Sequence, residues 1–252
     1  MNKTALITGA TSGIGKACAE LLAENEYNLI ICGRREERLD QLKQKLEAHT
    51  KVLTLSFDVR DREVATEVRA SIPDSWKPID VLINNAGNAH GLSPIQEGDI
   101  DDWDAMIDIN VKGLLYVSRS VIPMMVERKH GHIVNIGSIA GKEAYKGGNV
   151  YCASKFAVDA LNKSMLIDLN GLGIKVTAIN PGLVETEFSE VRFKGDNTRA
   201  KSVYQGMEPL RAKDIAEVVL FVLTRPAHVN ISDLTVFPTA QGAATLVARS
   251  DS

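Results

Sequence analysis

Short runs of apolar and β-branched residues recur along the 252-residue chain, and segments with the 3.6-residue period of a helix separate them. Buried strands have this composition, and their alternation with helices predicts right-handed βαβ crossovers. The pattern therefore predicts an α/β fold with a doubly wound parallel sheet of about seven strands and helices on both faces. The predicted strands are Thr4 to Thr8, Asn28 to Cys32, Val52 to Ser56, Val81 to Asn84, His132 to Ile136, Lys175 to Asn180 and Leu234 to Phe237.

The helical segments fill the intervals between these strands, and no internal repeat, low-complexity tract or flexible linker divides the chain. Hydrophobic residues make up 44% of the sequence, which is enough to bury one sizeable core. We therefore expect a single domain over residues 1–252. The predicted helices are Gly13 to Asn25, Glu36 to Ala48, Arg62 to Ile72, Trp103 to Val126, Tyr151 to Leu169 and Lys213 to Leu223.

One interval, from Gly182 to Ala212, interrupts this rhythm with roughly thirty residues of weak periodicity, many charges and scattered aromatic rings. An ordinary surface excursion with a short helix would have the same composition. Connections of this length are uncommon, however, and many of them are lids or binding loops. Because the interval follows the carboxyl end of the sixth predicted strand, where ligands bind in open α/β sheets, we predict a substrate lid at about residues 183–212.

Charge is nearly balanced, with 29 lysine and arginine residues against 32 aspartate and glutamate residues and a net charge of −3. Runs of like charge are short, which argues against nucleic acid or an anionic membrane as a partner. No apolar stretch of about 18 residues predicts a membrane span, and the first residues lead into a strand rather than a signal peptide. We expect a soluble, cytoplasmic protein whose partners are a small molecule and sister subunits.

The three cysteines, Cys18, Cys32 and Cys152, are an odd number and form no CxxC pair, which does not suit a disulfide framework or a zinc site. The five histidines lack ligand spacing with acidic or sulfur partners, so we expect no metal. A reducing compartment fits this cysteine usage best.

A glycine-rich turn joins the first predicted strand to the first predicted helix, with the sequence TGATSGIG from Thr8 to Gly15. Glycines in such a turn let backbone amides approach a pyrophosphate, and the amino end of the helix adds a favourable partial charge. The spacing is GxxxGxG rather than GxGxxG, and taken alone it is equally compatible with plain turn chemistry. The strand before it and the helix after it favour a dinucleotide.

The end of the second predicted strand indicates which dinucleotide fits. An acidic residue there would hold the ribose 2′-hydroxyl of NAD, whereas an arginine accommodates the 2′-phosphate of NADP. Here the strand runs into Arg34 and Arg35, whose planar guanidinium groups suit a phosphate, so NADP is the predicted cofactor. The alternative is that both are solvated charges at the start of a helix. Asp58, after the third strand, could accept a hydrogen bond from an adenine amino group or serve as a turn or cap.

Tyr151 and Lys155 are four residues apart in a predicted helix, which places them on the same face. A free phenol titrates at about pH 10, and a nearby ammonium would lower its pKa enough for proton transfer. Ser138 follows the fifth strand, where its hydroxyl could hold a substrate oxygen. Asn110 lies inside an apolar helix, where an amide is expected to bond a partner, either as a satisfied core residue or in a functional role.

These motifs together resemble the short-chain dehydrogenase/reductase family, whose members bind a nicotinamide dinucleotide on a Rossmann sheet and transfer hydride at a Ser, Tyr and Lys centre. The resemblance covers nearly the whole chain, and it implies a Rossmann fold, an oxidoreductase and a homotetramer. It also implies a catalytic tetrad, formed by Asn110, Ser138, Tyr151 and Lys155. The matching motifs are TGATSGIG at Thr8 to Gly15, NNAG at Asn84 to Gly87, YCASK at Tyr151 to Lys155 and NPGLVET at Asn180 to Thr186.

By this resemblance Tyr151 exchanges a proton with the substrate oxygen, which Ser138 also binds. Asn110 holds the water that connects Lys155 to solvent, and Lys155 and Tyr151 contact the nicotinamide ribose. The other residues implied to contact the cofactor are Gly9, Thr11, Ser12, Gly13, Ile14 and Gly15 at the pyrophosphate, Arg34 and Arg35 at the 2′-phosphate, Asp58 and Val59 near the adenine, Asn85, Ala86 and Gly87 after the fourth strand, and Pro181, Gly182, Val184 and Thr186 on the nicotinamide side.

A narrower resemblance, to the NADP-dependent 3-hydroxy acid dehydrogenases, comes from the lid and the tail. That subgroup acts on L-serine, L-allo-threonine and related short 3-hydroxy acids. A carboxylate substrate needs a cation, so Arg192 and Lys194 are predicted to contact the carboxylate and Glu187 to face an α-amino group. All three could instead be solvated loop charges. The matching segments are GLVETEFS from Gly182 to Ser189, VRFKGD from Val191 to Asp196 and RPAHVNI from Arg225 to Ile231.

Three other functions stay open at this point. The same chemistry on another carbonyl compound, such as a 3-oxoacyl chain, a sugar or a steroid, is the nearest alternative, because the fold and the tetrad do not fix the substrate. A redox-sensing protein that binds NADP without turnover is more distant, and a structural interaction protein is more distant still.

Overall fold

A computed structural model describes residues 2–250 of the chain. Its strands are β1 (Thr4–Thr8), β2 (Asn28–Gly33), β3 (Val52–Ser56), β4 (Ile79–Asn84), β5 (Gly131–Ile136), β6 (Ile174–Pro181), β7 (Val184–Glu185), β8 (Leu210–Arg211) and β9 (Asp233–Val236). Seven of them form one parallel sheet in the order β3-β2-β1-β4-β5-β6-β9. The predicted doubly wound α/β fold, a single Rossmann-like domain, is confirmed, and each predicted strand is present.

The sheet is wound outward from β1 in both directions. Thr4 of β1 pairs with Asn28 of β2 on one side and with Ile79 of β4 on the other. The helices that follow β1 and β4 cover opposite faces of the sheet, so a crevice opens between the carboxyl ends of these two strands. The predicted ligand-binding motifs follow these strand ends, and the topology therefore gathers them at one edge.

Helices cover both faces of the sheet. They are α1 (Gly13–Glu24), α2 (Glu36–Leu46), α3 (Arg62–Thr66), α4 (Val68–Ser71), α5 (Ile100–Ile107), α6 (Leu114–Arg128), α7 (Asn149–Asp168), α8 (Phe188–Arg192), α9 (Asn197–Ser202) and α10 (Ala212–Leu223). The prediction of one helix from Arg62 to Ile72 is wrong, because the segment breaks at Glu67 into α3 and α4. The Thr66 hydroxyl bonds back to the carbonyl oxygen of Arg62, a local bond that favours the end of a helix.

The helix predicted from Trp103 to Val126 is also different in the structure. It begins at Ile100, where Asp99 caps it, and it ends at Arg128. Between α5 and α6 lies a π-helical segment, Asp108–Gly113, in which the backbone widens by one residue per turn. The hydrophobic period of the sequence does not reveal this π-helical segment. Asn110, which lies inside the segment, makes its contacts with residues that are distant along the chain.

Each face of the sheet has its own apolar core. On one face α1, α2 and α10 bury side chains such as Leu22, Leu39 and Ile215 against the strands. On the other face α6 and α7 bury Val117 and Val158, together with side chains from α3 and α4. Burial on both sides explains the continuous apolar composition of the strands. The two cores hold the strand ends that border the crevice in fixed positions.

The long segment predicted as a lid contains short elements of its own. After β6 the chain forms β7, α8 and α9, and it returns through β8, which pairs with β7 in parallel. The tail of the chain lies against this segment, since the backbone N–H of Ser250 donates to the carbonyl oxygen of Gly206 and Arg249 donates to that of Val203. The segment therefore has defined contacts at its base and at its far end.

Within residues 2–250, no helix combines the length and the apolar character needed to cross a membrane. Cys18, Cys32 and Cys152 are free and buried, and Cys18 and Cys32 belong to the apolar cores. The same range contains no group of three histidine, cysteine or acidic side chains that could hold a metal ion.

His132 on β5 has a buried side chain that cannot accept a proton without cost. Its Nε2 lies 2.8 Å from the Thr177 hydroxyl, and that hydroxyl donates to the carbonyl oxygen of Ile231, so Nε2 carries the hydrogen and Nδ1 is left without a partner. Burial, with a smaller contribution from the charges of Lys175 and Lys3, lowers the pKa of His132 to about 3. The side chain is therefore neutral in the folded protein.

We predict that the free energy of unfolding falls as the pH drops below about 6.5, where the unfolded chain binds a proton at His132 and the folded chain does not. The loss from this residue is about 1.4 kcal/mol per pH unit until the folded pKa is approached. His132→Gln keeps an N–H donor for Thr177 and should flatten the slope by one proton when urea unfolding is measured between pH 7 and pH 5. The exposed control His228→Gln should not flatten it, and equal slopes in all three proteins would contradict this assignment.

Candidate active site

The glycine-rich turn crosses the carboxyl end of β1 and starts α1. Gly9 has a φ of +66°, a left-handed backbone conformation that a side chain would strain. A Cβ atom on Gly9 would also lie 2.9 Å from Nδ2 of Asn85, and a Cβ on Gly15 would collide with the same Nδ2 atom. Glycine at these two positions lets the turn pack directly on the end of β4.

Asn85 fixes the turn to the neighbouring strand. Its Nδ2 donates to the carbonyl oxygens of Thr8 and Gly9, at 2.9 Å and 3.2 Å. The hydroxyl of Thr8 accepts from the backbone N–H groups of Asn85 and Ala86, both at 3.0 Å. The two strand ends that border the crevice are therefore held together, and Asn85, Ala86 and Gly87 line the cleft beside the turn, as the sequence suggested.

The amino end of α1 faces this cleft with free backbone donors. Ser12 occupies the N-cap position, but its hydroxyl makes no cap bond and accepts instead from Nη2 of Arg35 at 3.1 Å. The hydroxyl of Thr11 accepts from the same atom at 3.0 Å. The first N–H groups of α1 thus stay available to an anion at the helix end.

Arginines border the cleft where β2 ends. Arg34 is half-exposed, and its Nη1 lies 3.4 Å from a carboxylate oxygen of Asp58, which also accepts from Arg60 at 2.7 Å. Partial burial raises the pKa of Asp58, but the hydrogen bonds and the charge of Arg60, with the charge of Arg34, outweigh it and lower the pKa. Asp58 is therefore an ionised carboxylate at the cleft rim, and Val59 lines the cleft beside it.

Three of the predicted catalytic residues meet at the ends of β5 and α7. Tyr151 and Lys155 lie one turn apart on α7, with only 8% and 7% of their surfaces exposed. Nζ of Lys155 donates to the carbonyl oxygen of Ile136, the last residue of β5, at 3.0 Å. Ser138 follows two residues later, and its hydroxyl accepts from the backbone of Ala140. All three side chains line the same cleft.

Burial decides the protonation of this centre. It raises the pKa of the Tyr151 phenol, with Tyr145 adding to the effect, while the Ser138 hydroxyl and the charge of Arg192 oppose it only in part. Burial also lowers the pKa of Lys155 to about 8. The expectation that a nearby ammonium lowers the pKa of the phenol does not describe this structure, because desolvation sets the direction for both groups. At neutral pH Tyr151 carries its proton.

Asn110 lies in the π-helical segment and is almost completely buried, with 2% of its surface exposed. Its Oδ1 accepts from the backbone N–H of Asn88 at 2.8 Å, and its Nδ2 donates to the carbonyl oxygen of Asn88 and to the Ser154 hydroxyl, both at 2.9 Å. The side chain thus joins the loop after β4 to α7. It positions the helix that carries Tyr151 and Lys155.

The chain after β6 forms the opposite wall of the cleft. Thr186 approaches the glycine-rich turn, since a Cβ atom on Gly13 would lie 3.4 Å from the Cβ of Thr186. The side chain of Gln241 accepts from the backbone N–H of Leu183 at 2.8 Å and anchors this wall to the tail of the chain. The predicted residues that line the cleft here are Pro181, Gly182, Val184 and Thr186.

The three predicted substrate contacts of the lid have different surroundings. The guanidinium carbon of Arg192 lies 5.5 Å from the centroid of the Tyr151 ring, at the catalytic end of the cleft. Lys194 pairs with Asp102 at 3.0 Å and with Asp99 at 3.3 Å, and it does not line this cleft. Glu187 lines the cleft, but its carboxylate accepts from Arg38 and Arg35. The structure brings only Arg192 to the catalytic centre.

The structure adds residues in and next to the cleft that the sequence did not identify. Tyr145 and Phe188 flank Tyr151, and the centroids of the Tyr151 and Phe188 rings are 5.7 Å apart. Asn88 is the partner of Asn110, and Arg38 is the partner of Glu187. Arg38 could have been found, because it lies three residues after Arg35 on the same helix face. The others carry no signal in the sequence.

These residues fit a dinucleotide with a phosphate on its ribose. The cleft has a volume of about 500 Å³, within the usual range of small-molecule sites. Glycine keeps side chains out of the turn, free amides of α1 face an anion, and arginine guanidinium groups stand at the end of β2. Ser138, Tyr151 and Lys155 lie at the other end of the cleft, where proton transfer to a bound oxygen is possible.

The sequence model of the short chain dehydrogenase family matches residues 3–197. The chain belongs to this family. The short-chain dehydrogenase fold and the class of oxidoreductase, both predicted from the motifs, are thereby confirmed.

Two curated relatives in the family align over almost their whole length. An NADP-dependent 3-hydroxy acid dehydrogenase, YdfG of Salmonella typhi, is 49% identical over 96% of this chain and 97% of its own. Sulfoacetaldehyde reductase 2 of Chromohalobacter salexigens is 43% identical over 96% of each chain. A solved structure of a serine dehydrogenase, described as its closed form with NADP+, has a TM-score of 0.92 and 45% identity, covering 98% of this chain and 100% of that one.

We predict that Asn110→Ala lowers the free energy of unfolding by about 2 to 4 kcal/mol, because it removes three hydrogen bonds, two to the partly buried backbone of Asn88 and one to the buried Ser154 hydroxyl. Urea unfolding measures the change. The matched control is Asn170→Ala, which removes an exposed amide and should cost less than about 0.5 kcal/mol. Equal stability of the two variants would contradict the positioning role of Asn110.

Proposed function

We propose that this short-chain dehydrogenase is an NADP-dependent 3-hydroxy acid dehydrogenase, which transfers hydride between the nicotinamide and the 3-hydroxyl or 3-oxo carbon of a short acid such as L-allo-threonine, L-serine or 3-hydroxypropanoate. One observation carries the choice of substrate class. A single lid cation, Arg192, reaches the catalytic end of the cleft, beside the ring of Tyr151. The curated relative and the solved serine dehydrogenase are consistent with this choice.

The environment of Arg192 suits a substrate anion. Its Nε donates to the carbonyl oxygen of Gly91 at 3.1 Å, and its guanidinium lies 5.6 Å from the ring of Tyr145 and 5.5 Å from that of Tyr151. Its Nη2 is buried and has no hydrogen-bond partner among the described residues. A buried donor without a partner is costly, and a carboxylate would satisfy it with a charge-assisted bond.

NADP is the proposed cofactor. Arg34 and Arg35 lie at the cleft where β2 ends, and the hydroxyls of Thr11 and Ser12 hold the Arg35 guanidinium over the glycine-rich turn. Two positive charges there favour a ribose that carries a phosphate over one that does not. The YdfG relative is named an NADP-dependent enzyme and the solved serine dehydrogenase is a complex with NADP+, which supports the same choice.

The bound nicotinamide supplies the hydride acceptor or donor of the reaction. The residues of the chain handle the proton and the orientation. Ser138 and Tyr151 offer two hydroxyls to one substrate oxygen, and Arg192 fixes the far end of the molecule. The Tyr151 hydroxyl gives its proton to a carbonyl oxygen during reduction and takes one from the 3-hydroxyl during oxidation. Because burial raises the pKa of Tyr151, oxidation requires loss of a tightly held proton and should become faster as the pH rises.

Lys155 supports the proton exchange at the Tyr151 hydroxyl. Its ammonium is buried, bonded to the carbonyl oxygen of Ile136, and has a pKa lowered to about 8 by burial. It is therefore charged at neutral pH but close to releasing a proton. A group poised in this way can hold a ribose hydroxyl and exchange protons with its neighbours.

Other substrates with an anionic end are the competing possibility that the structure itself raises. A guanidinium binds a sulfonate as well as a carboxylate, and one relative is named a sulfoacetaldehyde reductase. A 3-oxoacyl chain, a sugar or a steroid fits the site less well. None of them carries an anion close to the reacting oxygen that could pair with Arg192. A sensor without turnover would have no use for the centre formed by Ser138, Tyr151 and Lys155.

The lid, the homotetramer and the cytoplasmic location stay predictions. Residues 183–212 supply Arg192 and cover one side of the cleft, which supports the lid. Phe156 and Ile167 on α7 are exposed, at 43% and 74%, as is Leu115 on α6 at 38%, which supports packing of these helices against other subunits. Sedimentation equilibrium of the purified chain tests the tetramer directly.

Cofactor reduction by the purified protein tests the substrate class, with NADP or NAD and with L-serine, L-allo-threonine, 3-hydroxypropanoate, a hydroxyalkanesulfonate and an uncharged secondary alcohol. We expect turnover with NADP and the hydroxy acids. Arg192→Ala should raise KM for these acids about 10- to 100-fold, as expected for a lost charge-assisted bond, and change KM for the alcohol little. The lid control Lys194→Ala should leave KM for the acids unchanged, because Lys194 pairs with Asp99 and Asp102.

Turnover with the hydroxyalkanesulfonate alone would mean that the substrate of this enzyme carries a sulfonate and not a carboxylate. Turnover on the alcohol alone would remove the anion assignment altogether. Equal effects of Arg192→Ala on acid and alcohol would remove Arg192 from the substrate site.

We predict that Tyr151→Phe lowers kcat at least about 1,000-fold while the dissociation constant for NADP changes less than about threefold, since the phenyl ring keeps its packing and loses only the proton donor. Fluorescence titration with NADPH and steady-state kinetics measure the two quantities. A fall in NADP binding that matches the fall in kcat would mean that the hydroxyl holds the cofactor. Unchanged activity would show that another group moves the proton.

A further inference from the structure

Glu187 connects the lid to the arginines of the cofactor site. Its two carboxylate oxygens accept from Nη1 of Arg38 at 3.0 Å and 2.9 Å, and one of them lies 3.4 Å from Nη1 of Arg35. The same Arg35 guanidinium donates to the Thr11 and Ser12 hydroxyls at the glycine-rich turn. A carboxylate from the lid therefore binds an arginine that the proposed function assigns to the 2′-phosphate.

The contact is an ion pair at neutral pH. Partial burial raises the pKa of Glu187, but the hydrogen bond and charge of Arg38 and then those of Arg35 outweigh it, and the pKa lies below its usual value. The side chains of Glu187, Arg35 and Arg38 are each about half-exposed, at 44%, 45% and 44%. Solvent screens pairs of this kind, so each is weak and can be exchanged for a stronger partner.

The two arginines hold Glu187 unequally. Arg38 makes the two short bonds, whereas Arg35 makes one long contact and turns its other amino group toward the glycine-rich turn. A phosphate monoester carries more negative charge than a carboxylate at neutral pH and offers three acceptor oxygens. A 2′-phosphate can therefore take over Arg35 while Glu187 stays with Arg38, but the two anions then share a short stretch of the cleft and repel each other.

We propose that Glu187 is a specificity-determining residue that acts as an internal competitor for the 2′-phosphate: its carboxylate occupies the Arg35 and Arg38 pair in place of that phosphate and weakens the binding of the phosphorylated cofactor. The inference rests on the proposed use of NADP. The charge of Glu187 does not affect a ribose without the phosphate, so NAD-type ligands are outside its influence. Glu187 thus lowers the affinity for NADP.

Glu187 also lies next to the helix that reaches the substrate end of the cleft. Glu187 immediately precedes α8, which carries Phe188 and Arg192 against the ring of Tyr151. A phosphate that displaces Glu187 from Arg35 acts on the residue at the start of this helix. The two ends of the cleft are therefore joined by a single short helix of the lid.

The test uses two small probes that differ only in the 2′-phosphate, adenosine 2′,5′-bisphosphate and adenosine 5′-monophosphate, with isothermal titration calorimetry on the full chain. E187Q removes the charge and keeps the shape. We expect E187Q to bind the bisphosphate about 3- to 10-fold more tightly than the wild type, and the monophosphate with unchanged affinity. The gain should shrink as salt is added, because the effect is electrostatic.

Two further variants separate the contact from general charge. E190Q removes another carboxylate from α8, one that makes no ion pair within the described residues, and it should bind both probes like the wild type. In an Arg35→Ala background the gain from E187Q should be smaller than in the wild-type background, because the shared arginine is gone and only the repulsion between the two anions remains. The thermal midpoint of each variant confirms that it is folded.

The outcomes distinguish this inference from the proposed function. If the wild type binds the bisphosphate no better than the monophosphate, the proposed choice of NADP fails and the inference fails with it. If the wild type prefers the bisphosphate but E187Q binds it equally or more weakly, NADP stands and the competition is refuted, with Glu187 then ordering the arginines. An equal gain in E190Q would also refute it.

Discussion

The close contact between the glycine-rich turn and Asn85 is the constraint on which the rest of the site depends. Asn85 bonds the carbonyl oxygens of Thr8 and Gly9, and the Thr8 hydroxyl bonds back to the chain after β4. Side chains at Gly9 or Gly15 would separate the two strand ends. The width of the crevice and the direction of the α1 amides are therefore fixed. The residues that follow the carboxyl ends of β5 and β6 face the same crevice.

Desolvation is the second force that shapes the centre. Packing that brings Tyr151 and Lys155 to the cleft also removes them from water, and this raises the pKa of one and lowers the pKa of the other. The phenol and the ammonium, which titrate at nearly the same pH in water, are thereby moved apart in proton affinity, so the phenol holds its proton more tightly than the ammonium does. Arg192 brings a cation to the same dry end of the cleft, where an anion is bound more strongly than at the surface.

The two ends of the cleft use arginine in different surroundings. Arg34, Arg35 and Arg38 are half-exposed and already face the carboxylates of Asp58 and Glu187, so their attraction for a phosphate is tempered and screened. Arg192 has a buried amino group that finds no hydrogen-bond partner within residues 2–250. We expect the three half-exposed arginines to favour one cofactor over another and Arg192 to favour one substrate over another. The preference at Arg192 should be stronger, because water cannot replace a missing anion at a buried amino group.

The amino-acid sequence was enough to locate the strands, the glycine-rich turn and the positions of Ser138, Tyr151 and Lys155, because these follow from local composition and from short spacings that a helix or a turn fixes. The order of the strands within the sheet came from the structure. It did not determine the π-helical segment around Asn110 or the break between α3 and α4. Lys194, Glu187 and Arg192 looked alike as lid charges. In the folded chain Lys194 pairs with Asp102, Glu187 pairs with Arg38, and Arg192 lies against the ring of Tyr151. The sequence could not show these partners, because folding brings them together from distant parts of the chain.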